Sequence, residues 1–378
     1  MPLIYLIAGE QSGDVLGARL MRAIQARRPD IAFAGVGGSA MAAQGLDSLF
    51  PIRALALMGL LEVLPKIFQL SALLKQTVAD IKNRAPDVLV TIDSPGFTLR
   101  VLRALQPTTL KRAHYVAPQV WAWREGRVKH YPGLWDELLC LLPFEPAFFA
   151  GHGLAARFVG HPVLESGAET GNAERFRGRH AIPAGAKILT VMPGSRQTEV
   201  SRLLPILEAT IRLLPEPVVP VVPLAGPVEA VVRQRTASWP IQPILVADTQ
   251  DKHDAFAASD AALTKSGTST LELALANVPM LVTYRINPIS HQIVKRVVKV
   301  KHASIVNLLL NRPVVPELLQ YESRPDRLAA ELHRLLTDQH AVAEQRQGFA
   351  EALTLLRPAS GTPSEAAAEA VLSMLPSA

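Results

Sequence analysis

The sequence predicts an α/β protein of two similar halves, each a parallel sheet covered by helices. Three observations carry this. Short apolar runs bounded by turn residues alternate with helix-like runs almost from end to end, the pattern of parallel strands joined by crossover helices. The alternation stops once, at Gly160-His161-Pro162 and the turn-rich residues 165–172, and then restarts. Junctions where a strand run meets a helix run carry glycines and hydroxyls in both halves. The expected organisation is a first Rossmann-like domain over 1–162, a second over 163–340, and C-terminal helices over 341–378 that pack back across the domains.

Composition narrows the class. With 378 residues the chain is long enough for two full cores. Hydrophobic residues make up 49% and charged residues 19%, which excludes a disordered chain. The net charge of +6 favours anionic partners, such as phosphate groups or an acidic membrane surface, and is too small to argue for nucleic acid. One cysteine, Cys140, excludes an internal disulfide and suits a reducing cytoplasm. The apolar opening lacks a basic leader and reads as a buried strand, not a signal peptide. No charge-free apolar run reaches the roughly 18 residues of a membrane span.

In the first half, residues 3–8 are the first strand, 9–14 its turn and 15–27 an amphipathic helix. The turn offers Glu10, Ser12 and Gly13 toward a ligand but is not the dinucleotide G-x-G-x-x-G; Ser12 or Asp14 would equally serve as an ordinary helix cap. A strand at 32–36 follows. Residues 57–74 are apolar on more than one helical face, with Leu60, Leu61, Val63, Leu64, Ile67, Phe68, Leu70, Leu73 and Leu74 among them, and Pro65 should break or kink a helix there. They are either buried between sheet and neighbour or available to a membrane surface or an acyl chain. Residues 86–93 form a buried strand ending on Asp93, stopped by Ser94-Pro95-Gly96. Ligands of open α/β sheets bind beyond the carboxyl ends of strands, so Asp93 is a general-base candidate, with a helix cap as the plainer role. After a strand at 113–118, residues 119–127 hold Trp121 and Trp123 beside Arg124 and Arg127; the tryptophans suit a domain wall and the arginines an anion.

The second half has two strand-to-helix turns with the makings of phosphate sites. The first, Pro193-Gly194-Ser195-Arg196, follows the strand at 187–192, and Arg196 can place a guanidinium fork on a diphosphate. The second, Lys265-Ser266-Gly267-Thr268-Ser269-Thr270, leads into a helix where Glu272 is placed for sugar hydroxyls or for a capping box with Ser269. If the two strands are neighbours, both turns open on one crevice. Residues 293–302 alternate valines with Lys295, Arg296, Lys299 and Lys301, a solvated helix face or a lipid-surface segment. No Asp-x-Asp or His/Cys ligand cluster lies beside the turns, so neither metal nor cofactor is expected. A base in the first half and a diphosphate site in the second, across an interdomain cleft, suit glycosyl transfer with inversion.

Ala8-Gly-Glu-Gln-Ser-Gly-Asp-Val-Leu-Gly17, Val90-Thr-Ile-Asp-Ser-Pro95, His114-Tyr-Val-Ala-Pro-Gln-Val-Trp-Ala-Trp-Arg124, Gly160-His-Pro162, Pro193-Gly-Ser-Arg196 and Ser266-Gly-Thr268, in that order, resemble the lipid-A-disaccharide synthase family. The resemblance implies a GT-B fold and a bacterial cytoplasmic enzyme peripheral to the inner membrane. It implies a reaction joining UDP-2,3-diacylglucosamine to 2,3-diacylglucosamine 1-phosphate (lipid X), giving lipid A disaccharide 1-phosphate and UDP. It further implies Asp93 as base, Arg196 and Glu272 at the donor site and Asn307 as a further UDP-side contact; the turn residues Gly194, Ser195, Ser266, Gly267 and Thr268 complete the UDP-side candidates, and Glu10, Ser12, Gly13 and Arg124 are the acceptor-side candidates. The stretch at 57–74 resembles the family's acyl-binding, membrane-facing region. Gly96 stands where the family usually has an acid, which makes Asp93 the only local base. A UDP-N-acetylglucosamine 2-epimerase of the same fold and a non-catalytic peripheral lipid-binding protein are the alternatives, and a homodimer is open.

Overall fold

A computed structural model gives the fold of residues 1–55, 63–287, 298 and 300–376; for 63–67 it describes the backbone alone. The chain forms two compact units, Met1–Pro162 joined by the chain from Leu356 onward, and Val163–Leu355.

The first unit is a six-stranded sheet, every pairing parallel: β1 (Leu3–Ala8), β2 (Ala32–Val36), β3 (Val88–Ile92), β4 (Lys111–Tyr115), β5 (Glu137–Cys140) and β6 (Ala156–Phe158), in the order β2-β1-β3-β4-β5-β6. The chain runs outward from β1 to β2 and then reverses to β3, so the topological switch point lies between β1 and β3. Helices cover both faces, so the strands read as continuous apolar runs. Alternate residues feed two cores: Tyr5, Ile7 and Leu89 on one face, Ile4, Leu6, Val88 and Val90 on the other. The last helix, Pro363–Leu372, packs on the Gln11–Arg27 helix. Its buried Ala367, Ala368 and Ala370 let the backbones come close, and Thr362 with Glu365 closes a capping box at its start.

The second unit repeats the plan with β7 (Lys187–Met192), β8 (Val218–Pro223), β9 (Ile244–Val246), β10 (Ala261–Lys265), β11 (Met280–Tyr284) and β12 (Glu317–Leu319), ordered β12-β11-β10-β7-β8-β9. Its switch point lies between β7 and β10, which pair in parallel from Leu189↔Ala261 to Met192↔Thr264.

Several local features differ from the expectations. Pro65 does not break a helix. It is the third residue of Val63–Arg84, in the first turn, where an amide N–H has no partner to lose. The expected caps Ser12 and Asp14 do not cap their own helix. Asp14 is buried and accepts from Gly38 N, Ala40 N and Met41 N at 2.7–3.0 Å, so it caps the short Ser39–Ala42 helix. The Thr249–Ala258 helix buries Asp251, His253 and Asp254 beside Ala255 and Phe256; Arg175 neutralises Asp254 and Arg179 neutralises Asp251. Of the basic segment at 293–302, residues 293–297 and 299 lie outside the described residues. Among the described residues no helix is long and apolar enough to cross a membrane.

Candidate active site

Asp93 follows the last residue of β3, and Glu10 follows β1 by two, so both carboxylates stand at the first unit's switch point. Backbone φ is +47° at Asp93 and +46° at Ser94, the left-handed region. The turn is held by the Thr98 hydroxyl, which donates to Asp93 O at 2.7 Å and Ser94 O at 3.0 Å, and by Asp93 N donating to Tyr115 O at 2.9 Å. Just past the adjacent strand β4, Val116 has φ +79°, an outlier for a β-branched residue. Strain of this kind costs on the order of 1–3 kcal/mol per residue and gathers where a site needs a particular backbone. Gly9 is required here: a Cβ at that position would run into the Ser94 side chain.

Burial pushes the Asp93 carboxyl above its ordinary pKa; the Ser94 backbone N–H opposes this and the nearby Glu10 charge adds to it. Glu10 is thus a second carboxylate close enough to act on Asp93. Glu10→Gln removes the repulsion, so the acid limb of kcat/KM, which reports deprotonation of the base in free enzyme, should move to lower pH. A limb that stays put or moves up separates Glu10 from Asp93.

The remaining acceptor-side candidates scatter. Ser12 is exposed on the first turn of the Gln11–Arg27 helix, and Gly13 is buried where that helix passes Ala8 and Ile92. The Arg124 guanidinium stacks over the Trp123 ring at 4.1 Å. Trp121 does wall the unit: it meets Phe144 edge-on, and its indole N–H donates to Glu145.

Of the apolar stretch, Leu60 and Leu61 lie outside the described residues, and for Val63, Leu64 and Ile67 only the helical backbone is given. Phe68 is 76% exposed. Leu70, Leu73 and Leu74 are half-buried against the core. Leu70 and Leu74 also line a cavity of about 590 Å³ with Leu55, Phe97, Glu10 and Ser94, beside Asp93.

In the second unit the 193–196 and 266–268 turns follow β7 and β10, neighbours in the sheet, and so emerge side by side at its switch point. Gly194 has φ +111°, and a Cβ there would come within 2.5 Å of the Glu199 carboxylate. Ser195 lies between Gly194 and Arg196, the N-cap of the Gln197–Arg212 helix. No side chain caps that helix, so its first amide N–H groups stay available. The Arg196 side chain is 77% exposed and reaches Glu199 at 3.4 Å. Lys265 Nζ donates to the same carboxylate at 3.2 Å, tying the two turns together. Glu199 and Lys265 were not foreseen; Lys265 opens the second turn and Glu199 follows the first by three residues, but nothing local shows that they meet across strands.

The expected capping box of Ser269 and Glu272 is not formed. The N-cap of Ser269–Leu275 is Thr268 without a side-chain bond, and Glu272 accepts from Lys252 at 3.1 Å. Gly267, at φ +153°, lies where a side chain is disfavoured, and the Ser266 hydroxyl donates to Ala303 O. Asn307, expected to touch UDP, is 1% exposed. Its amide oxygen accepts from Val314 N and Val315 N, and its amide nitrogen donates to Val315 O and Glu317, which fills its hydrogen-bonding capacity. In this structure it holds the 304–317 turn, to which Ala303, and through it Ser266, is fixed. Among the described residues no three His, Cys, Asp or Glu side chains gather as metal ligands.

Two six-stranded parallel sheets flanked by helices place the chain in the GT-B class of fold. It is shared with the UDP-GlcNAc 2-epimerase from Neisseria meningitidis, solved bound to UDP-GlcNAc (TM-score 0.67, 12% identity, 99% of this chain and 100% of that one), and with the calicheamicin glycosyltransferase (TM-score 0.59, 14% identity, 99% and 98%). At those identities the likeness establishes the fold alone, and sequence decides between the two chemistries. The lipid-A-disaccharide synthetase family matches residues 4–371, and the lipid-A-disaccharide synthase of Gluconobacter oxydans is 56% identical over 99% of this chain and 91% of its own length. The chain belongs to the lipid-A-disaccharide synthetase family and is a glycosyltransferase of lipid A biosynthesis.

Proposed function

We propose that the chain joins UDP-2,3-diacylglucosamine to 2,3-diacylglucosamine 1-phosphate, releasing UDP and forming lipid A disaccharide 1-phosphate with inversion at the anomeric carbon. The observation that carries this is the adjacency of β7 and β10, which sets two glycine-bearing turns, Arg196 and Lys265 side by side, a layout suited to a diphosphate. Asp93 takes the proton of the acceptor hydroxyl, whose oxygen attacks the anomeric carbon. The bond from that carbon to the diphosphate oxygen breaks, and its electron pair leaves with UDP. Arg196, Lys265 and the free N–H groups at the start of Gln197–Arg212 meet the charge that develops. Glu272 and Lys252 lie on the same edge for the donor sugar's hydroxyls. The cavity lined by Leu70 and Leu74 suits an acyl chain, and the exposed Phe68 suits an anionic inner-membrane surface.

The test is UDP release with each substrate alone and with both. Release should require both acylated sugars, and UDP-sugar alone should give no epimer; epimer formation would make the chain an epimerase. Arg196→Ala should weaken UDP binding by about 2 kcal/mol, the scale of a charge-assisted hydrogen bond. Unchanged affinity by calorimetry rejects that role.

A further inference from the structure

Beside the acyl cavity the first unit carries a second depression, of about 330 Å³, between the Pro95–Ala104 helix and the 3-10 segment Glu125–His130. Four basic side chains line it, Arg100, Arg103, Arg127 and His130, with Tyr131 and no carboxylate. Among the described residues none of the four has an ion pair or a side-chain hydrogen bond. Many exposed arginines elsewhere among the described residues are paired: Arg28 with Asp30, Arg84 with Asp80, Arg157 with Glu137, Arg312 with Glu351, Arg324 with Asp326. Burial raises the Tyr131 hydroxyl pKa, and the charges of Arg127 and Arg103 oppose this. Unpaired like charges gathered in one concavity repel, and an anion of charge near −2 relieves that repulsion.

The position limits which anion. Pro95, Gly96 and Arg100 line both depressions, so the basic one adjoins the apolar cavity across the first turn after Asp93. At Gly96 the space around a would-be Cβ is empty, so the rim between them is open. A ligand filling both has an apolar chain and a phosphate on one small scaffold.

We propose that Arg103, Arg127 and His130, with Arg100 at the shared rim, form a subsite for the phosphate of the acylated acceptor, which fixes the acceptor's orientation before Asp93. This rests on the function proposed above. The guanidinium forks suit a phosphomonoester, whose terminal oxygens accept paired N–H donors.

The test uses the full chain, its Arg103→Gln/Arg127→Gln double variant, and two acceptors, 2,3-diacylglucosamine 1-phosphate and the same sugar without phosphate, in neutral detergent micelles. The double variant should raise KM for the phosphorylated acceptor about 100-fold or more, the loss of two charged hydrogen bonds, with kcat and the KM for UDP-sugar unchanged. With the unphosphorylated acceptor, wild type and variant should match. Equal losses with both acceptors, or no loss with either, overturn the proposal. A loss seen only on vesicles containing phosphatidylglycerol also overturns it and assigns the pocket to a membrane headgroup. Calorimetric binding of the phosphorylated acylsugar to both proteins reads the subsite without turnover. If wild type binds that sugar and the variant does not, yet neither releases UDP, the reaction assignment fails while the subsite stands.

Discussion

Asp93→Asn should lower kcat by about 10²–10⁴-fold, the span of general-base catalysis, and leave UDP affinity unchanged. The substitution is nearly isosteric, and Asn tolerates the left-handed backbone found at +47° better than most residues. The bonds that hold the turn run through the backbone of Asp93 and the Thr98 hydroxyl, so they survive the change. What is lost is a carboxylate able to take a proton. Its pKa, raised by burial, makes it a stronger base than an exposed Asp. UDP affinity is read separately because the proposed nucleotide site belongs to the other unit. A variant with full activity would remove Asp93 from the mechanism; one that also loses UDP binding would point to misfolding.

Glu145→Ala should destabilise the protein by about 3 kcal/mol in urea unfolding, the cost of stranding several buried donors. The Glu145 side chain accepts from Leu141 N at 3.0 Å, Leu142 N at 2.9 Å and the Trp121 indole at 3.0 Å. Burial raises its pKa to about 7 against these three bonds, which favour the charged form. The folded pKa thus lies above the ordinary carboxyl value of about 4.5, so the native state holds the proton more tightly between those limits. The stability contributed by this linkage is present at low pH and is lost as pH rises through about 7. The gap between wild type and variant should therefore narrow from pH 5 to pH 7. Buried His114 and His161, each lowered to about 4 by burial, drive the opposite trend in both proteins and cancel in the difference. A loss under about 1 kcal/mol, or a gap that widens with pH, contradicts the assignment.

Much of this was legible in the chain because parallel strands buried on both faces read as uninterrupted apolar runs, as Val88–Ile92 and Lys187–Met192 do. The strand-end turns were equally plain, since glycine and hydroxyl clusters interrupt those runs. Strand order was not. Residues 192 and 261 are far apart in the chain, and their strands pair only because the sheet reverses at β7. For the same reason Lys265 meeting Glu199, Lys252 meeting Glu272 and Glu10 facing Asp93 had no local signal. β12 escaped notice because three half-buried residues at an edge show no periodicity. The structural role of Asn307 had no local signal either, because its hydrogen bonds are made to residues eight and ten positions ahead.

The docking of the final helix on the Gln11–Arg27 helix has a consequence for synthesis. The segment emerging first from the ribosome cannot complete its core until residues 363–372 have been translated, because Ala367, Ala368 and Val371 fill one of its faces. The 163–355 unit is continuous in the chain and has all its strands well before then. Nascent chains should therefore acquire protease resistance in the order opposite to their synthesis, the later lobe ahead of the earlier one.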